Sequence, residues 1–181
     1  TFSQYGIEIS KDEYVRRWMI EQTTSRGVIK DYNLSVSLAE VREIKDGIVS
    51  RLVEEELEMM PHAMDMLACL HGKYPLGVVS SESGIELDRN LGKFGLNRFI
   101  DVRVTADDVE RTKPHPEPYK KGAGLLGFEP RHIAVVEDNP SGVKSAKGTG
   151  CVVVAYPNGF TRDMDFSDAD AVIARTMAER R

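Results

Sequence analysis

Four short apolar runs, at residues 76–79, 100–104, 133–136 and 151–155, set the tightest limit on what this chain can fold into. Each is rich in valine or isoleucine and too short for a buried helix. The segments between them are amphipathic and of helical length. Strand alternating with helix, with strands apolar on both faces, describes a parallel sheet covered on both sides. The second part of the chain, residues 59–181, is therefore expected to be a doubly wound α/β core. In such sheets ligands bind beyond the carboxyl ends of the strands, so those four ends are where chemistry is sought.

Residues 1–58 have another texture. Ser10 followed by Glu13, and Ser37 followed by Glu40, are S-x-x-E signatures of helix starts. Val41, Ile44, Ile48, Leu52 and Val53 recur at helical spacing, and no alternating strand pattern intervenes. A small helical domain is expected here, hinged to the core at Met59-Met60-Pro61. Residues 171–181 read as a last short strand followed by a polar helix.

With 41% hydrophobic and 29% charged residues, the 181-residue chain is a globular protein with a core. Its formal net charge of −5, with no long basic stretch, disfavours nucleic acid and anionic membrane surfaces as partners. No run approaches the roughly 20 apolar residues of a membrane span, and no signal peptide is visible. Cys69 and Cys151 each lie in an apolar run and are expected to be buried free thiols, which suits a reducing cytoplasm. Residues 122–127 spell G-x-G-x-x-G, but a helix start rather than a strand precedes them, so a helix ending at Gly127 is expected instead of a nucleotide site. The four histidines show no zinc-ligand spacing.

The strand ends carry the candidate residues. After the first run comes Ser80-Ser81-Glu82-Ser83-Gly84, a turn whose hydroxyls and amides either cradle a phosphate or cap the next helix. After the second come Arg111-Thr112-Lys113-Pro114-His115-Pro116, in which flanking prolines stiffen a lysine that either meets an anion or is solvated. Pro116 is placed at the first position of a helix. The third run enters Glu137-Asp138-Asn139 directly. Two adjacent carboxylates at an apolar strand terminus call for a compensating cation, and magnesium takes few protein oxygens. The alternative is a helix cap at Asp138 or Asn139 beside an exposed Glu137. A hydroxyl, a lysine and a carboxylate pair together describe a site for phosphate and a divalent ion.

The order serine, Lys-Pro-x-Pro and Glu-Asp-x-x-x-Gly resembles the haloacid dehalogenase superfamily, in particular its phosphatase and beta-phosphoglucomutase-like branch. MPHAMDMLACLHGKYPLGVVSSES, RTKPHPEPY and VVEDNPSGVKSAKGTG are close to that pattern, and the likeness runs from about Met60 to Pro157. The resemblance implies a Rossmann-like core with a small helical cap at residues 1–58. Ser80 and the Ser81 amide would bind the transferring phosphoryl group and Lys113 would balance its charge. Glu137 and Asp138 would hold Mg2+ directly or through water. Asn139 stands where many relatives have serine. Arg26 and Lys30 in the cap would read the substrate's leaving group, with solvated charge as the alternative. The family's Asp-x-Asp-Gly motif, which carries the nucleophile and the general acid and base on a central strand, does not occur in the chain and is expected upstream of Thr1. The activity implied is magnesium-dependent hydrolysis of a small phosphorylated metabolite, such as a sugar phosphate, through an aspartyl phosphate, by a cytoplasmic monomer. A sugar phosphomutase is the close alternative. A catalytically inactive binding module is the alternative if Thr1 is the true start.

Overall fold

A computed structural model describes residues 1–21 and 23–173, in two compact units, Thr1–Glu58 and Met59–Arg181. Among the described residues the first unit is helical: a 3-10 turn Phe2–Tyr5, α1 (Lys11–Tyr14), a π-helical turn Val15–Ile20, α2 (Ser25–Asp31) and α3 (Leu38–Glu55). Phe2, Ile7, Val28 and Val41 form its buried core, with Trp18, Ile29 and Leu34 packed against them. The Ser37–Glu40 signature is a reciprocal capping box, as expected.

The Ser10–Glu13 signature is only half of one. Ser10 accepts from the Glu13 amide, but the Glu13 carboxylate takes the Arg17 guanidinium and the Tyr32 hydroxyl instead of returning to Ser10. These donors hold the Glu13 carboxyl below its usual range, the Arg17 hydrogen bond contributing most. The α-helix lasts four residues and then widens into the π-helical turn that carries Arg17. An i,i+4 ion pair, with the more distant Tyr32 hydroxyl beside it, thus takes the carboxylate that a full capping box would need.

The second unit opens with α4 (Ala63–Leu70) and then alternates strand and helix: β1 (Gly77–Val79), α5 (Gly84–Lys93), β2 (Val102–Val104), α6 (Glu117–Leu126), β3 (Ala134–Glu137), α7 (Pro140–Lys147), β4 (Val152–Ala155) and β5 (Ala171–Val172). All pairings are parallel. β1 pairs with β2, and β4 lies between β3 and β5. Among the described residues no hydrogen bond joins β1 to β3, so the strands form two sheets. α6 packs on β1 and β2, α7 packs on β3 and β4, and the two helices touch each other. The core under them is built from Tyr119, Val135, Val143, Ala146, Cys151, Val153, Ala155 and Phe166.

Each expected strand is present, shifted by one or two residues. α6 ends at Gly127, whose φ of 76° closes the helix in the left-handed region. Gly122 in the same helix brings its backbone against Val79 of β1. Pro116 is the N-cap of α6 rather than its first residue. Cys151 is buried, but Cys69 is exposed. On α4 the half-buried face is Met64, Leu67 and Leu70, and Cys69 lies off it, beside Lys73. The polar helix expected after β5 lies outside the described residues. Among those described, no helix is long and apolar enough to cross a membrane.

Ser83 forms a full capping box with Glu86 at the start of α5. Replacing Ser83 by Ala removes it, and urea unfolding is expected to show a loss of about 1 kcal/mol. An unchanged midpoint would mean that the box does not hold this helix.

Candidate functional site

The first strand end is shaped by a division of labour among its serines. Ser83 caps α5, which frees Ser80 from that duty. The Ser80 amide bonds the Val104 carbonyl, tying the end of β1 to β2, and its hydroxyl oxygen accepts from the Glu82 amide at 3.1 Å. That contact leaves the Ser80 O–H as a donor. The Ser81 amide has no acceptor among the described residues. The turn is pinned from outside, with Glu82 O accepting from the Ala106 amide and Asp107 accepting from the Gly84 amide. Two donors, Ser80 O–H and Ser81 N–H, are therefore presented by a rigid turn.

Lys113 connects this strand end to the next. Its Nζ donates to the Val79 carbonyl at 2.9 Å and to Glu137 Oε1, at the ends of β1 and β3 respectively. Both partners are largely withdrawn from water, with side-chain exposures of 12% for Lys113 and 7% for Glu137. Tyr119, on α6, donates its hydroxyl to the same Glu137 oxygen, and its ring lies 5.1 Å from the Lys113 ammonium. Burial first, and the Glu137 charge second, push the Tyr119 phenol far above its ordinary range, so it is a donor at any physiological pH. Gly142, in the first turn of α7, supplies the space: a Cβ there would overlap the Glu137 carboxyl group.

The adjacent Asp138 faces the other way and reaches solvent. Asn139, not Asp138, caps α7, accepting from the Ser141 amide. One Asp138 oxygen accepts from Asn158 Nδ2 at 2.7 Å. Asn158 is itself fixed: its Oδ1 accepts from the Phe160 amide and its own amide bonds the buried Thr161 hydroxyl. The atoms packed around the Asp138 carboxyl, and next the Glu137 carboxylate, raise its pKa, which the Asn158 hydrogen bond opposes.

The expected site residues Ser80, Glu137 and Asp138 thus sit at the carboxyl ends of β1 and β3, with Ser81 in the same turn as Ser80, and Lys113, from the segment between β2 and α6, brings its ammonium to both ends. The carboxylate pair is divided in role: Glu137 is engaged by Lys113 and Tyr119, and Asp138 is the open one. One open carboxylate beside a second whose Oε2 accepts no hydrogen bond among the described residues suits a hard cation that keeps most of its waters, such as Mg2+. Among the described residues no group of three or more His, Cys, Asp or Glu gathers for a metal. Arg26 and Lys30 are carried by α2 of the first unit, exposed and one helical turn apart. Three residues were given no role of their own by the sequence: Tyr119, Gly142 and Asn158. Tyr119 follows Lys113 by six residues and Gly142 closes the Glu-Asp-x-x-x-Gly run, so both lay inside motifs already singled out. Asn158 gave no signal, because only the fold brings β4 beside β3.

The sequence matches the family description of haloacid dehalogenase-like hydrolases over residues 1–156. It is 29% identical over 135 residues to the phosphoglycolate phosphatase of Shigella boydii serotype 4 (strain Sb227), an alignment covering 73% of this chain and 54% of that protein. The chain thus spans about half the length of this curated relative. Among solved structures it resembles CbbY from Rhodobacter sphaeroides in complex with phosphate, at a TM-score of 0.80 and 23% identity, covering 95% of this chain and 82% of the other. A mutant of the same protein in complex with xylulose-(1,5)-bisphosphate gives a TM-score of 0.81 at 23% identity and the same coverage. At that identity the structural likeness speaks for the fold alone.

A raised carboxyl pKa means that the folded protein holds the Asp138 proton more tightly than the unfolded chain does. Its contribution to metal-free stability therefore grows as pH falls through the raised pKa toward the usual carboxylate value, and is lost as pH rises. Asp138→Asn removes the charge, so thermal unfolding of metal-free protein at neutral pH is expected to shift up, with less dependence on acid pH. A lowered melting temperature would contradict this reading of Asp138 as an uncompensated charge.

Proposed function

The chain belongs to the haloacid dehalogenase-like hydrolase family, and on that premise we propose that its protein is a magnesium-dependent phosphomonoester hydrolase acting on a small phosphorylated metabolite. The observation that carries the proposal is the Lys113 bridge between the ends of β1 and β3. An ammonium has three donors. Two are committed to Val79 O and Glu137 Oε1, which leaves one for an anion beside Ser80.

Charge explains why a cation belongs in the site. Lys113 and Glu137 together are neutral, and Asp138 adds a negative charge. A phosphate dianion entering there meets no net positive charge from the chain. Magnesium at Asp138 supplies the missing charge and a fixed geometry for the phosphoryl oxygens. The chain's own residues do the rest of the positioning. The Ser80 hydroxyl and the Ser81 amide orient the phosphoryl group, and the Lys113 ammonium stabilises charge gathering on its oxygens in the transition state. Asn158 keeps the Asp138 carboxylate turned to the site.

The nucleophile in this proposal is an aspartate upstream of Thr1, which attacks phosphorus and forms an aspartyl phosphate that water then cleaves. Among the described residues β1 and β3 each have one edge without a strand partner, and Lys113 joins their ends, which supports placing that aspartate on a further parallel strand between them. A sugar phosphate is the proposed substrate class, the one that the resemblance to the phosphatase and beta-phosphoglucomutase-like branch suggests.

Full-length protein is expected to release inorganic phosphate from an aryl phosphate only with magnesium. Asp138→Ala should abolish turnover, and Lys113→Ala should lower kcat/KM by about a hundredfold or more. Near-normal activity in both variants would refute these roles. A panel of phosphorylated metabolites then names the substrate. A sugar phosphate that is isomerised without net phosphate release would identify a phosphomutase instead.

A further inference from the structure

We infer that Tyr119 and Gly142 are positioning residues for Lys113, acting through the Glu137 carboxylate. The inference rests on the phosphate-site reading above.

Three flexible side-chain torsions separate the Glu137 carboxylate from its backbone, and four methylenes separate the Lys113 ammonium from its own. Left to themselves, two such groups would find many arrangements. In this structure both are held. The Tyr119 hydroxyl donates to Glu137 Oε1, the same oxygen that Lys113 engages. Tyr119 is itself fixed, being 8% exposed and part of the core cluster with Val135, Val143 and Val153. Its ring lies under the ammonium at 5.1 Å. Opposite, the carboxyl group fills the notch left by the missing side chain of Gly142, where any Cβ would displace it. The hydroxyl sets where Oε1 lies, the notch sets where the carboxylate fits, and Oε1 with Val79 O then sets the ammonium. Neither Tyr119 nor Gly142 needs to touch the phosphoryl group.

Tyr119→Phe keeps the ring and its packing and deletes only the O–H donor. Calorimetric titration of inorganic phosphate into full-length, magnesium-loaded protein reads the consequence directly, without turnover. Val153→Ala, a cavity in the same core cluster on β4, is the control for destabilisation alone. The expected result is phosphate affinity about fivefold or more weaker in Tyr119→Phe and unchanged in Val153→Ala. Gly142→Ala should weaken phosphate at least as much, and combining it with Tyr119→Phe should add little, since both act on one carboxylate. Equal affinity in wild type and Tyr119→Phe, or an equal loss in Val153→Ala, would overturn the inference and leave the phosphate site standing. A wild-type protein that does not bind phosphate would overturn the phosphate-site reading, and this inference with it.

Discussion

The ammonium of Lys113 is the interaction on which the candidate site depends. Among the described residues β1 and β3 share no backbone hydrogen bond, so nothing in the sheets themselves sets one strand end against the other. Lys113 does so by bonding the last carbonyl of β1 and the last side chain of β3. A buried ion pair is weak evidence for stability, because desolvation cancels much of its attraction. Its value here is geometric: it fixes an ammonium where two strand ends, one serine turn and one open carboxylate converge.

The same interaction sorts the two acidic residues. Glu137 is consumed in neutralising Lys113 and in accepting from Tyr119. Asp138, one residue on, carries the charge left unbalanced, and the atoms packed around its carboxyl, then the Glu137 charge, raise its pKa. Consecutive residues of a strand point to opposite faces; Glu137 ends β3 on its buried side, and Asp138, the next residue, turns toward solvent. A metal that leaves most of its coordination to water and substrate fits this arrangement better than a dedicated protein cage.

Much of this was legible in the sequence, because it depends on local chemistry. Apolar runs of four or five residues with helical segments between them are read as strands of a parallel sheet, and all four became strands. Ser80, Lys113, Glu137 and Asp138 stood out together: each alone had a structural alternative, but a hydroxyl, a lysine and a carboxylate pair following successive strands describe one site. The rest depended on partners far along the chain. The inward turn of Glu137 required Lys113, Tyr119 and Gly142, which lie 24, 18 and 5 residues away. Asn158 meets Asp138 across 20 residues. The capping box at Ser10 is only half-formed because Glu13 is taken by Arg17, four residues on, and by the distant Tyr32. Cys69 was misplaced because an eight-residue apolar helix has no polar face to show which side is buried.

The most direct test is a crystal structure of the full-length protein grown with magnesium and orthophosphate. The account predicts an anion within hydrogen-bond distance of Ser80 Oγ and Lys113 Nζ, a metal ion on Asp138, and Lys113 still bonded to Glu137. An anion bound away from the β1 and β3 ends, or a Lys113 side chain released from Glu137 into solvent, would contradict it.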